Sequence, residues 1–241
     1  MNYPIAETFR SPQGEGQWVG TYFTFVRFAG CNVGKPYTEE ERHAINYSNS
    51  SSIGTNPKDW VPQLSVYQEK CQTSLGTTFS CDTNYVMSKK MTVEEIVKEC
   101  KGVERVCLTG GEPLLHDLHP LCQALEEECI HVHLETSGTK DLFDFKSIRF
   151  GFPVYIAVSP KVGCLETSLH YADELKILVG QDFNEEEFVR LYKGHFRKIW
   201  LQPINYEHTI DTANMQKCIQ LQQKYPLVRL SSQAHKLWNV R

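Results

Sequence analysis

The stretch Val103-Glu104-Arg105-Val106-Cys107-Leu108-Thr109-Gly110-Gly111-Glu112-Pro113 decides the fold. Val103 to Leu108 is apolar and β-branched, so it reads as a buried strand. It breaks into a polar turn with two glycines, and Leu114 to Glu128 then places apolar residues at helical spacing. The same plan recurs downstream. Ile130–Leu134 is a strand ending in Glu135-Thr136-Ser137-Gly138, and Val154–Val158 ends in Ser159-Pro160-Lys161. Glu174–Val179 is a strand with Lys176 inside it. Lys198–Leu201 ends in Gln202-Pro203-Ile204-Asn205, and Val228–Leu230 is the last strand. Helices are expected over Met91–Cys100, Glu185–Leu191 and Asp211–Lys224, the first with Thr92 as N-cap and Glu95 completing a capping box.

Alternating strands and helices favour a parallel sheet with right-handed crossovers. Such folds bind ligands on the loops after the strands. The expectation is an α/β fold, an open or partial (β/α) barrel of about six strands, whose polar strand ends face one mouth. Length is consistent: 241 residues suit one sizeable domain, here 1–241, with residues 33–80 as an insertion too poor in apolar residues for a core of its own. A short helix is expected within the insertion, around Glu39–Ile45.

Upstream, Thr21–Phe28 reads as a further buried strand that runs into Gly30-Cys31-Asn32. Arg27 near its end needs an anionic partner, either Glu7 or Glu15 of the chain or a ligand carboxylate. Residues 5–16 read as turn chemistry around Pro12, Gly14 and Gly16. Such a loop is a surface turn or a backbone that a ligand can approach closely.

With net charge −4 and 41% hydrophobic residues, nothing resembles a nucleic-acid footprint, and no run is long enough for a membrane helix. The first residues lack signal-peptide features, so a cytosolic setting is expected. Nine cysteines exclude a fully paired disulfide framework. Cys31, Cys71 and Cys81 lie on the polar excursion between the first two parallel strands, 39 and nine residues apart. They read as the ligands of one iron–sulfur cluster. Three thiolates leave one iron of a 4Fe-4S cluster open, and S-adenosylmethionine can fill it. The Gly110-Gly111-Glu112 turn would suit its ammonium group. Cys100, Cys107, Cys122, Cys129, Cys164 and Cys218 read as packing or loop residues. His131 and His133 share a strand face, and a zinc pair there ranks below two ordinary strand residues.

Gly30-Cys31-Asn32, Cys81-Asp82-Thr83 and Thr109-Gly110-Gly111-Glu112-Pro113 together resemble the radical S-adenosylmethionine superfamily. With Ser11-Pro12-Gln13-Gly14-Glu15-Gly16, Arg27 and Gln233-Ala234-His235-Lys236, the chain resembles its 7-carboxy-7-deazaguanine synthase family everywhere except residues 33–80. The resemblance implies conversion of 6-carboxy-5,6,7,8-tetrahydropterin to 7-carboxy-7-deazaguanine with loss of ammonia, begun by a 5′-deoxyadenosyl radical. It implies Mg²⁺ at Thr83. It places Phe79, Ser80, Asp82, Gly110, Gly111, Glu112, Glu135, Ser159, Pro160, Lys161 and Gln202, Pro203, Ile204, Asn205 at S-adenosylmethionine. It places Pro12, Gln13, Gly14, Glu15, Arg27, Thr109, His235 and Arg241 at the pterin. A homodimer and an electron donor such as flavodoxin are implied as partners.

The chain departs from the superfamily at the middle cysteine. The usual spacing is Cys-x3-Cys-x2-Cys, yet the residue three before Cys81 is Thr78. Either the loop from Cys71 to Cys81 folds back to deliver Cys71, or only two cysteines hold the cluster; the first is favoured, since closing a short loop costs little entropy. Two rivals remain: another enzyme of the superfamily such as a glycyl-radical activase, and a non-enzymatic Fe–S or zinc module whose insertion is the working surface.

Overall fold

The computed structural model describes residues 1–36, 69–81, 83, 88–143, 145, 151–194, 198–205 and 210–240. The expected helix at Glu39–Ile45 lies outside them, as do Asp82 and Arg241. The strands are β1 (Asn2–Pro12), β2 (Tyr22–Phe28), β3 (Lys35–Pro36), β4 (Glu69–Gln72), β5 (Thr78–Ser80), β6 (Lys89–Thr92), β7 (Arg105–Gly110), β8 (His131–Thr136), β9 (Tyr155–Val158), β10 (Glu174–Val179), β11 (Lys198–Pro203) and β12 (Arg229–Leu230). The helices are α1 (Val93–Cys100), α2 (His119–Glu127), α3 (Glu166–Tyr171), α4 (Glu185–Gly194), α5 (Thr212–Lys224) and α6 (Ala234–Leu237).

Among the described residues one sheet has the order β12-β11-β10-β9-β8-β7-β2-β1-β6. From β2 to β12 the neighbours are parallel, and β1 and β6 add an antiparallel edge. This is an α/β fold with a mostly parallel sheet. The central strands are apolar on both faces and buried on both: on β7, Val106 and Leu108 join the main core while Cys107 packs on the other face with Phe23 and Phe25, and on β9 Ile156, Ala157 and Val158 are all buried. Helix α1 begins at the expected capping box, with Glu95 N donating to Thr92 Oγ1 at 3.2 Å and Thr92 N donating to Glu95 Oε2 at 2.8 Å. It buries Ile96, Val97 and Cys100, one face at helical spacing.

Residues 5–12 correct the turn expectation. They belong to β1, which pairs with β2 in register Phe9↔Phe25 and with β6 in register Tyr3↔Met91. Tyr3 and Ile5 alternate into the core, a period of two that the nearby Pro and Gly residues masked. The turn proper is Gln13–Thr21, closed by Gln13 N to Thr21 O and Gly20 N to Gln13 O, both 2.8 Å.

His133 does not pair with His131 as a metal site. It is buried between Phe23 and Tyr155, at ring distances of 5.7 and 5.3 Å, while His131 leans on Phe152. Burial pushes the His133 imidazole down to about 4. An unfolded histidine titrates near 6.5, so between about 4 and 6.5 only the unfolded chain takes up the proton. Stability is therefore full above 6.5 and is lost as pH falls toward 4. Between pH 7 and pH 5 this one group contributes a loss of about 2 kcal/mol. Urea unfolding at the two pH values should show that slope in the native chain and a flatter one in His133→Leu; equal slopes would refute the assignment.

Candidate functional site

The C-terminal strand ends and the loops after β1 and β2 enclose a cavity of about 260 Å³. Its floor is an ionic network. Lys176, in the middle of β10, extends its ammonium between two carboxylates, 2.8 Å from Glu15 Oε2 and 2.9 Å from Glu135 Oε1. Thr109 donates to Glu135 at 3.0 Å and Gln13 Nε2 at 3.3 Å. Gln202 Nε2 donates to Glu15 at 3.0 Å, and Ser231 Oγ donates to Gln202 at 3.2 Å. Residues of β7, β8, β10, β11 and the β1–β2 turn thus meet in one hydrogen-bonded layer. Burial would raise both carboxylates, but the Lys176 charge overrides it and holds Glu15 low and Glu135 at about 2. Burial would lower Lys176, but the two carboxylates hold it well above the usual lysine range. Lys176 is the residue that sequence reasoning left unused; its signal was a lysine inside an otherwise buried apolar strand.

Beneath this layer Glu174 is fully buried. Its Oε2 accepts from Trp200 Nε1 at 2.8 Å, Tyr155 OH at 3.0 Å and Gln17 N at 3.1 Å. Gly16 lies against the same carboxylate with φ +64°, so both the space and the backbone there demand glycine. The Gln13–Gly16 turn is thereby pinned from below. From above, α6 closes on it: Ala234 N donates to Gly14 O at 3.0 Å, and a side chain at position 14 would collide with His235.

Arg27 resolves between its candidate partners. Its Nε lies 3.0 Å from Glu7 Oε1, its cross-strand neighbour, while Glu15 belongs to Lys176. The contact to Glu7 is an ion pair without hydrogen-bond alignment. Arg27 also donates to Thr83 Oγ1 at 2.9 Å. A single hydroxyl is a poor start for a hard cation, which seeks several oxygens. Among the described residues no three His, Cys, Asp or Glu close around one ion, at Thr83 or elsewhere.

Cys31, Cys71 and Cys81 all line the cavity. Cys31 follows β2, where the Gly110-Gly111 turn presses on its loop: Gly111 N donates to Phe28 O at 3.1 Å and Glu112 N to Gly30 O at 2.9 Å. A Cβ at Gly111 would overlap the Gly30 carbonyl and stand 3.1 Å from Cys31 Cβ. Cys71 arrives on a hairpin of β4 and β5, directly opposite Phe79. Cys71 and Cys81 both act electrostatically on Lys161, and the Phe79 ring lies 5.3 Å from the Lys161 ammonium. The three thiols thus reach the cavity from three segments: the loop after β2, β4, and the residue after β5.

Many of the other predicted site residues share this cavity. Phe79, Ser80, Gly110, Gly111, Glu135, Ser159, Lys161 and Gln202–Asn205 line the cavity, as do Pro12, Gln13, Gly14, Glu15, Arg27, Thr83, Thr109 and His235. Glu112 and Pro160 do not. The Glu112 carboxylate is fully buried and accepts from Thr136 Oγ1 at 2.8 Å, Ser137 N at 2.9 Å, Leu114 N at 3.1 Å and the Ser137 hydroxyl. These bonds tie the β7 turn to the end of β8. Pro160 is buried, and its carbonyl accepts from Ser74 N. Thr136 and Ser137, at the polar end of β8, line the cavity as expected of that strand end, and beyond Lys176 it adds Phe9 and Phe25, whose cross-strand positions carried no separate signal.

Curated relatives agree with this picture. The 7-carboxy-7-deazaguanine synthase of Synechocystis sp. is 33% identical over 76% of this chain and 67% of its own length. That of Bacteroides thetaiotaomicron is 31% identical over the whole of both chains. The chain belongs to the 7-carboxy-7-deazaguanine synthase family. The Escherichia coli (strain K12) member is 29% identical over both full lengths. The crystal structure of QueE from Escherichia coli superposes with a TM-score of 0.63 at 27% identity, covering 96% of this chain and 94% of that one. No family model matches the sequence.

Replacing Lys176 with Met leaves two buried carboxylates unpaired, a change that typically costs about 3 kcal/mol or more. In the native chain the pair's contribution is present above the ordinary carboxylate range and is lost only as pH falls toward about 2, the Glu135 value. In the variant the folded carboxylates titrate above their unfolded values, so stability is regained as pH falls. Thermal midpoints at pH 7 and pH 5 should show the deficit of Lys176→Met shrinking on acidification; a deficit that stays constant or grows would contradict the network.

Proposed function

We propose that this chain is a radical S-adenosylmethionine enzyme that converts 6-carboxy-5,6,7,8-tetrahydropterin to 7-carboxy-7-deazaguanine with loss of ammonia. The observation that carries the proposal within this chain is the single mouth. Three cysteines of irregular spacing, the Gly110-Gly111 turn and the Gln13–Gly16 turn meet at one cavity. Family membership supports the same reaction.

Cys31, Cys71 and Cys81 would hold a 4Fe-4S cluster, and the wall that fits it is the one formed by the β2 loop and the β4–β5 hairpin. With S-adenosylmethionine bound, the cluster supplies the organic radical that takes a hydrogen atom from the pterin. Gly110, Gly111, Ser159, Lys161 and Gln202–Asn205 form the cofactor side of the mouth. Gln13, Gly14, Glu15, Thr109 and His235 form the substrate side. Arg27 pairs the substrate carboxylate in a fork whose orientation Glu7 and Thr83 fix. A Mg²⁺ ion at Thr83 would use the hydroxyl lone pair that Arg27 leaves free. The Lys176 network keeps the floor rigid and dry, so that polar groups are placed before substrate arrives. The wider reading is one partial-barrel domain over 1–241, interrupted by residues 33–80. It acts as a homodimer in the cytosol and takes electrons from a flavodoxin-class donor. Among the described residues no helix is long and apolar enough to cross a membrane.

Anaerobic incubation with S-adenosylmethionine, reductant and 6-carboxytetrahydropterin should yield 7-carboxy-7-deazaguanine, and no product from a fully cluster-loaded chain would end the proposal. Cys71→Ala should lower bound iron and sulfide as far as Cys81→Ala does. Unchanged iron in Cys71→Ala would leave only two cysteine ligands.

A further inference from the structure

The spacing that breaks the superfamily pattern has a structural answer. Cys71 and Cys81 are separated by a turn, Thr73–Thr77, that behaves as a plug. The turn is closed on itself by Thr73 N to Thr77 O at 2.8 Å and Thr77 N to Thr73 Oγ1 at 3.1 Å. Its first arm joins the loop after β9. Thr73 bridges Lys161, Ser74 N donates to Pro160 O at 3.1 Å, and Val162 N donates to Gln72 O at 3.0 Å. Its tip joins the loop after β10. Leu75 is buried in the main core, and Asn184 N donates to its carbonyl at 2.9 Å. Thr77 is buried against Gly180, where an added Cβ would stand only 2.6 Å from Thr77 Cγ2. Gly180 has ordinary backbone angles, so what glycine provides there is room for the plug.

We infer that the Thr73–Thr77 turn, seated between Pro160–Val162 and Gly180–Asn184, positions Cys71 for the cluster. This rests on the cluster reading above and goes beyond it, because it assigns the holding of the middle ligand to residues outside any cysteine motif. In the usual motif two residues tie the second cysteine to the third. Here the chain between them is longer, and the constraint comes from two loops of the α/β frame. Leu75, Thr77 and Gly180 are positioning residues: they touch neither cofactor nor substrate and act through Cys71.

Overpacking at Gly180 tests this. In Gly180→Ala the new methyl strikes Thr77 and lifts the plug. Cys71, now 7% exposed, should then react with iodoacetamide about tenfold faster before cluster reconstitution, while Cys31 and Cys81 keep their rates. Iron and sulfide after reconstitution should fall to the level of Cys71→Ala. Adding Thr77→Ser removes the struck methyl and should restore both slow labelling and full iron. If Gly180→Ala is recovered only as aggregate, Leu75→Val, a smaller peg in the same seat, should show the same selective gain at Cys71. Unchanged Cys71 labelling overturns the seat. Faster labelling with full iron overturns its role in holding the cluster, as does failure of Thr77→Ser to rescue. A native chain that takes up no cluster would instead defeat the functional proposal, and the labelling rates would still decide the seat.

Discussion

One ammonium buried between two carboxylates holds the mouth of this molecule together. Lys176 reaches Glu15 on the β1–β2 turn and Glu135 at the end of β8. Those elements are far apart in sequence, and Gln13 adds a direct bond from the turn to Glu135. A buried triad of this kind is seldom a net source of stability, since desolvating three charges costs nearly as much as their attraction returns. Its value lies in specificity of placement. Any shift of the Gln13–Gly16 turn would strand a charge, so the turn is fixed before a ligand arrives. Glu174 below and α6 above work on the same turn, through Gln17, Gly16 and Gly14. A loop that would otherwise be mobile is held on three sides.

The frame was legible in the sequence because periodicity reports burial. β7 to β12 and α1, α4 and α5 lie where apolar runs and helical spacing put them, while α2 starts at His119, after a 3-10 turn at Pro113–Leu115, and not at Leu114. The N-terminal edge was not. In β1 the alternation of Tyr3 and Ile5 is short, and the proline and glycine residues that follow it carry a stronger local signal than the pairing that decides the outcome. Helix α3 has six residues, too few for a period to stand out.

The site divides in the same way. Residues at strand ends were found because topology sends strand ends to one edge. Glu135 and Gln202 followed from that rule, while Arg27 and Thr109 came from the family resemblance. Partner choice did not follow. Nothing in the sequence says that Glu7 belongs to Arg27 and Glu15 to Lys176, since that assignment is made by cross-strand register and by which carboxylate the β1–β2 turn directs inward. Nor could spacing show which groups Glu112 accepts from, because Thr136 and Ser137 meet it only once β7 and β8 are paired.

The cysteines carry the sharpest form of this lesson. A motif such as Cys-x2-Cys encodes geometry locally: the chain between the ligands is too short to misplace them. When the interval grows to nine residues, that local constraint disappears and something else must replace it. Here β4 and β5 pair so that Cys71 faces Phe79, and the turn between them locks into loops that the sheet itself positions. Upstream, β3 meets β4 with Pro36 opposite Glu69, so the chain leaves and re-enters this small sheet at neighbouring residues. The hairpin that carries Cys71 is thus anchored by loops of the α/β frame and not by the spacing of the cysteines.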